Sequence, residues 1–289
     1  MPVYFSDISV TSEAAVVKSS NYVRLQNSRF GLVLRENVTD LPPLGVASCA
    51  AVGKNRTILG TRRRSKNVRP GLNSSPPDTL RDALARHAIE LPDEQIEILD
   101  RYCRALWSWN EKLNLTRHTD YEKFVTRDVV DSLALEPFLD AGDRVLDVGT
   151  GGGVPGIVLA IVRPDMDVAL CDSVAKKAKA VEAIVAELGL KIPVYHGPGQ
   201  ELVDEHHFNT LVMRAIAPLS KLLRWFGPHW DHFDRLLVIK GPAWVEERKE
   251  ARALGLLNHL ELRKLAAYPL PGTESESVVL SIRPKEDYA

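Results

Sequence analysis

From Arg144 onward, short uninterrupted apolar runs alternate with longer segments whose apolar positions recur every three or four residues. The short runs predict strands over 144–148, 167–171, 192–195, 210–214 and 235–240. The longer segments predict helices over 156–163, 174–188, 218–226 and 243–254, the second closed by Gly189. Two further runs, 259–268 and 276–283, flank the turn Pro269-Leu270-Pro271-Gly272. Alternation of this kind gives a parallel sheet covered on both faces, and the two successive strands at the end add an antiparallel hairpin at one edge. Residues 141–289 therefore read as a doubly wound α/β domain, whose ligands sit at the carboxyl ends of the strands, where Gly149, Asp172 and Arg214 fall.

Residues 78–140 read as a small helical region. Asp78 is expected to cap a helix through Ala88, and Pro92-Asp93-Glu94 opens a longer one with Ile96, Leu99, Cys103 and Leu106 on one stripe. Thr119 and Glu122 form a capping box for a third helix to about Leu139. Residues 1–77 have no sustained period and are rich in Ser, Asn and Arg, so disorder or loose structure is expected there. That segment carries 11 basic against 4 acidic residues, which leaves 26 against 34 in the remainder. A nucleic-acid-binding arm, a targeting segment and upstream sequence included through a misplaced start all fit it, and the third is placed first because so long a stretch has so little pattern.

The chemistry concentrates in Arg144 to Gly156, where a strand, a glycine turn and a helix start follow one another. Glycines there let a ligand come against bare backbone, and the helix end offers unpaired N–H groups. Gly151, Gly153 and Gly156 satisfy a dinucleotide spacing, with Asp172 about where a ribose-binding acid belongs. Asp147, two residues before Gly149, shifts the balance. A carboxylate facing the ligand suits the cationic amino-acid end of S-adenosylmethionine and sits badly beside a pyrophosphate. NAD and a turn without any ligand remain the alternatives.

Composition narrows the setting. No apolar run approaches the roughly 18 residues of a membrane span. Cys49, Cys103 and Cys171 are scattered and odd in number, which gives no zinc spacing and no disulfide framework, so a reducing cytoplasmic setting without metal is expected. Cys171 reads as a small core thiol, and the adjacent His206 and His207 as solvated loop residues.

Taken together, Trp109-Asn110 with Asn114-Leu115-Thr116, Arg127 with Asp131-Ser132, Asp147 to Gly156, Asp172-Ser173 with Lys176-Lys177, Arg214-Ala215 with Ala217-Pro218-Leu219, and Lys240-Gly241 resemble the ribosomal RNA small subunit methyltransferase G family over residues 80–283. The resemblance implies a class I S-adenosylmethionine-dependent methyltransferase fold, Rossmann-like with a mostly parallel seven-stranded sheet, and methylation of N7 of a guanine in small-subunit (16S) ribosomal RNA. It implies that Gly149 and Val154 line the cofactor pocket, Asp172 holds the ribose hydroxyls, Gly199 and Gln200 flank the adenine, and Arg214 lies near the methionine end or the target base. The chain departs from the family pattern at Asp128 in place of His, Ala180 in place of Phe, Gly197 to Gln200, and Asn209 in place of Asp.

The chemistry agrees. Methyl transfer from a sulfonium is one in-line displacement that needs positioning, and guanine N7 carries a free lone pair, so no general base is required. Attack at a pyrimidine carbon would need a presented cysteine, and exocyclic amines an Asn/Asp-Pro-Pro-aromatic loop, where this chain has Arg214-Ala215-Ile216-Ala217-Pro218. A basic rim for RNA or the ribosomal subunit is expected from Lys176, Lys177, Lys179, Lys221, Arg224, Lys240, Arg248 and Lys249, about half of them solvated helix faces, with Trp225 and Trp244 as packing. A monomer is expected. A methyltransferase of the same fold acting on another RNA or small molecule, and a non-catalytic RNA- or ribosome-binding homologue, are the competing readings.

Overall fold

The computed structural model describes residues 78–270 and 274–285, together with three short antiparallel strands, β1 (Val17–Ser19), β2 (Tyr22–Arg24) and β3 (Val33–Leu34). The expectations for the rest of residues 1–77, for Cys49 and for the turn at Pro271-Gly272 lie outside the described residues.

The helical region begins with α1 (Leu80–Arg86) and α2 (Asp93–Asn110). Thr79 caps α1 in a reciprocal box with Asp82, and the expected cap, Asp78, instead pairs with Arg86 at 2.8 Å. The α2 stripe of Ile96, Leu99, Cys103 and Leu106 is buried, as its spacing requires. The next helix starts one residue later than expected. Asp120, in extended backbone, accepts Lys123 N at 2.7 Å and caps α3 (Tyr121–Lys123), while Glu122 turns away to His87 and Arg86. α3 runs through a π-helical stretch, Phe124–Val129, into α4 (Val130–Leu133), and a 3-10 turn at Glu136–Phe138 follows in place of the expected last helical turn.

The sheet domain comprises β4 (Arg144–Val148), α5 (Gly156–Val162), β5 (Asp167–Asp172), α6 (Ala175–Leu188), β6 (Val194–His196), α7 (Gly199–Glu205), β7 (Phe208–Arg214), α8 (Leu219–Phe226), β8 (Phe233–Lys240), α9 (Trp244–Ala253), β9 (Leu260–Pro269) and β10 (Glu276–Pro284). Every expected element is present within two residues at its ends, and α7 is additional. The seven strands lie in the order β6-β5-β4-β7-β8-β10-β9; the first five are parallel, and β10 runs antiparallel to both β8 and β9. The expected hairpin is thus at the edge, with its second strand on the inside.

Alternation along the strands sorts the core into two faces. Val145, Val212, Leu237 and Ile239 pack with the helical region, α5 and α6, whereas Leu146, Val148, Leu211, Met213 and Val238 pack with α7, α8 and α9. The chain steps outward from β4 to β5 and β6, then returns to the other side of β4 with β7, which places the switch point of the sheet at the carboxyl end of β4. Cys103 and Cys171 are core thiols, the latter pushed up to about 12 by burial. His207 is exposed, but His206 stacks on Tyr195 at 5.3 Å between centroids and is half-buried. Asn209, in place of Asp, accepts Arg144 N at 2.9 Å and donates to Asp234. No described helix is long and apolar enough to cross a membrane.

Candidate functional site

The turn leaving β4 follows the switch point, with Gly149, Gly151 and Gly153 all at positive φ. At Gly149 (φ +66°) a side chain would be strained and its Cβ would stand 3.0 Å from Ile216 Cδ1. At Gly156 the constraint is space: a Cβ would overlap Leu170 and stand 2.8 Å from that of Asp147. The first turn of α5 therefore lies directly on β4 and β5. Val154 is buried within the turn.

Asp147 lies beneath this turn, 1% exposed. Its Oδ2 accepts Thr150 Oγ1 at 2.6 Å and Gly156 N at 2.8 Å, which clips both ends of the turn to the strand. Its Oδ1 is buried with no partner among the described residues. Burial pushes the carboxyl up to about 6, against the pull of those two donors. In place of the expected ligand-facing carboxylate, the structure has a group beneath the turn, with one oxygen spent on the fold and the other buried without a partner among the described residues.

Asp172 ends β5 and binds the same turn from the neighbouring strand, accepting Gly151 N at 3.0 Å on Oδ2 and Val174 N at 2.8 Å on Oδ1. Each oxygen keeps lone-pair capacity for a further donor such as a ribose hydroxyl. Gly199 and Gln200 open α7 at the carboxyl end of β6, and a Cβ at Gly199 would meet Val148 Cγ1 at 2.8 Å. The expected cofactor residues Asp147, Gly149, Gly151, Gly153, Val154, Asp172, Gly199 and Gln200 thus fall at the carboxyl ends of three adjacent strands. Their donor and acceptor set fits a nucleoside with a cationic tail.

Arg214, at the end of β7, is turned into the protein. Its Nη1 lies 2.8 Å from Asp128 Oδ1 and 3.2 Å from Asp131 Oδ2, and it donates to the Arg127 carbonyl oxygen. His118 and Tyr268 complete the cluster on Asp128 and Asp131, at 2.9 Å and 2.8 Å. Burial raises the Asp131 carboxyl above its usual range. This Arg214 is committed to two carboxylates, which suits holding the helical region in place.

Two supports carry no signal in the motif itself. The Tyr102 hydroxyl donates to the Gly152 carbonyl oxygen at 2.9 Å, which fixes the turn from α2. Asn110 Oδ1 accepts both Leu115 N and Thr116 N, at 2.8 and 3.0 Å, and this bond pair sets the loop that packs on Gly152 through Leu115. The quoted Asn110 and Asn114-Leu115-Thr116 positions were the available sign of the second; a lone Tyr on a buried stripe gave none for the first.

Of the expected basic rim, Lys176, Lys179, Lys221, Arg224 and Lys249 are exposed and Lys177 is half-buried. Lys240 is not on the rim: it is 7% exposed, paired with Glu247 at 2.8 Å and bonded to the Ala217 carbonyl oxygen. A charged residue ending an apolar strand has its ammonium drawn inward to a carboxylate and a carbonyl, which sequence position alone does not disclose. Trp225 and Trp244 pack against the second core face, under Lys221 and Arg248 respectively. Among the described residues no group of His, Cys, Asp and Glu could hold a metal ion.

A family model described as rRNA small subunit methyltransferase G matches residues 95–268. Proteins named ribosomal RNA small subunit methyltransferase G are similar over half or more of this chain. The one from Rhodopirellula baltica is 50% identical over 194 residues, which cover 67% of this chain and 84% of the relative. Those from Chromobacterium violaceum and Psychromonas ingrahamii are 42% and 32% identical, over 50% and 71% of this chain and 70% and 97% of theirs.

Proposed function

Because this chain belongs to the ribosomal RNA small subunit methyltransferase G family, we propose that its glycine-turn pocket takes S-adenosylmethionine and directs methylation to N7 of a guanine in small-subunit (16S) ribosomal RNA. The observation that carries the cofactor assignment is Asp147 Oδ1, a buried carboxylate oxygen without a partner under a turn of bare backbone. An ammonium is the donor such an oxygen calls for, and a pyrophosphate is not. That removes the support for NAD.

When bound, the cofactor supplies an activated methyl on a sulfonium. The chain's task is then to hold it: Asp147 orients the amino end, Asp172 accepts from the ribose hydroxyls, and Gly199 and Gln200 receive the adenine beside β6. N7 needs no deprotonation, so the site works by alignment. Among the described residues Asp147 Oδ2 and both Asp172 oxygens are already engaged by backbone and hydroxyl donors, as that chemistry permits. Lys176, Lys177 and Lys221 meet the RNA backbone at the rim, on the ribosomal subunit or its precursor, in the cytoplasm; the enzyme acts as a monomer and without metal.

The test is methyl transfer by the full chain from labelled S-adenosylmethionine to small-subunit rRNA and to assembled subunits lacking the modification. Label recovered as N7-methylguanine supports the assignment. Cofactor binding without label on either substrate, or label on another base or atom, refutes it.

A further inference from the structure

A cavity of about 680 Å³ opens at the carboxyl ends of β7 and β8, within the size range of small-ligand pockets. It adjoins the glycine turn directly, since Ile216, one of its walls, is the residue against Gly149. Lys240 and Glu247 form part of its lining as an ion pair. Two bonds explain why the fold keeps them: Lys240 holds the Ala217 carbonyl oxygen, and Glu247 Oε2 accepts Leu219 N at 2.9 Å as well as the ammonium. Those bonds use only one carboxylate oxygen. Glu247 Oε1 has no bond among the described residues, and the ammonium has a third N–H.

We propose that this cavity receives the target guanine and that the Lys240–Glu247 pair reads its edge, the ammonium donating to O6 and Glu247 Oε1 accepting from N1–H. The inference rests on the guanine-N7 reading above and adds the residues that select the base. Guanine sets an acceptor, O6, beside a donor, N1–H, and the pair sets a donor beside an acceptor. O6 and N7 lie on the same groove edge, so a base gripped at O6 and N1–H keeps its N7 lone pair free on the adjoining side. A site built to hydrogen-bond one base rejects an analogue that leaves its polar groups unpaired.

The test uses the full chain and an rRNA substrate in which the guanine methylated by the wild-type enzyme is replaced by 2-aminopurine, which keeps N7 but has no O6 and has an acceptor at N1. Wild type is expected to prefer guanine by about 100-fold in kcat/KM. Glu247→Gln keeps an acceptor for Leu219 N and turns an amide donor toward the base. It should lower kcat/KM on guanine by about 10- to 100-fold, with little loss on 2-aminopurine and unchanged S-adenosylmethionine affinity by calorimetry. A wild-type preference below about 3-fold overturns the proposal without any variant, and so does an equal loss on both substrates. No methylation of any guanine by wild type would instead overturn the reading on which it rests.

Discussion

Replacing Asp147 with Asn separates what this carboxylate costs the fold from what it contributes to binding. Burial moves its carboxyl from 3.8 to about 6, a rise worth about 3 kcal/mol between the two protonation states. The folded protein therefore holds this proton more tightly than the unfolded chain does. The stabilising contribution is complete below about pH 3.8 and is lost as pH rises through about 6. The Asn variant has no such dependence. It places an amide N–H group where Oδ1 finds no partner, which costs about 1–3 kcal/mol, but that cost is constant with pH. The stability of wild type minus variant should thus fall by roughly 1.4 kcal/mol between pH 5 and pH 8, where ordinary carboxylates remain ionised. Urea melts of both cofactor-free proteins across that range measure it. Binding should move the other way: wild-type affinity for S-adenosylmethionine rises between pH 5 and about 6 and then levels, while the variant binds about 10- to 100-fold more weakly with no inflection there. Parallel stability curves, or equal affinity at pH 8, would refute the argument.

Gly156→Ala forces a methyl into Leu170 and the Asp147 side chain, and should lower stability by about 1–3 kcal/mol, read as an earlier urea midpoint at unchanged slope. Tyr102→Phe removes the bond to the Gly152 carbonyl oxygen; a loss of about 1 kcal/mol and a several-fold rise in the cofactor Kd are expected, and an unchanged Kd would mean that the turn holds itself. Arg214→Ala leaves Asp128 and Asp131 buried without their cation, at a cost of about 3–5 kcal/mol by urea melts at pH 7, whereas loss of methyl transfer at full stability would show that Arg214 acts on a ligand.

The sheet was readable because buried parallel strands are uninterrupted apolar runs, and the runs ending at Val148, Cys171 and Arg214 have few other interpretations. The helix α7 was not, since seven residues beginning Gly199-Gln200 carry too short a period to stand out. Cap residues failed for a different reason. Asp78-Thr79 and Thr119-Asp120 are each two competent caps in a row, and the choice depends on distant partners, Arg86 drawing Asp78 and His87 with Arg86 drawing Glu122. The glycine turn, Asp147 and Asp172 were legible because their bonds are local or reach one strand over. Lys240 was misplaced on the rim because charge patterning counts basic residues and says nothing of a carboxylate seven residues on that draws one inward.

The departure at Asp128 bears on how the two halves of the site are joined. The π-helical stretch delivers Asp128 to Arg214 Nη1, and α4 delivers Asp131 to the same nitrogen, so one cation on β7 anchors two successive turns of the helical region. From the other side, α2 anchors the glycine turn through Tyr102. Arg214 also lines the cavity proposed for the base, whereas Tyr102 supports the turn proposed for the cofactor. The helical region therefore touches both subsites by polar bonds that cross to the sheet domain. Such bonds tolerate little displacement, because each leaves a buried group unpaired when broken. If the two proposed subsites hold donor and acceptor, a perturbation of either anchor should alter methyl transfer more than it alters binding of either ligand alone.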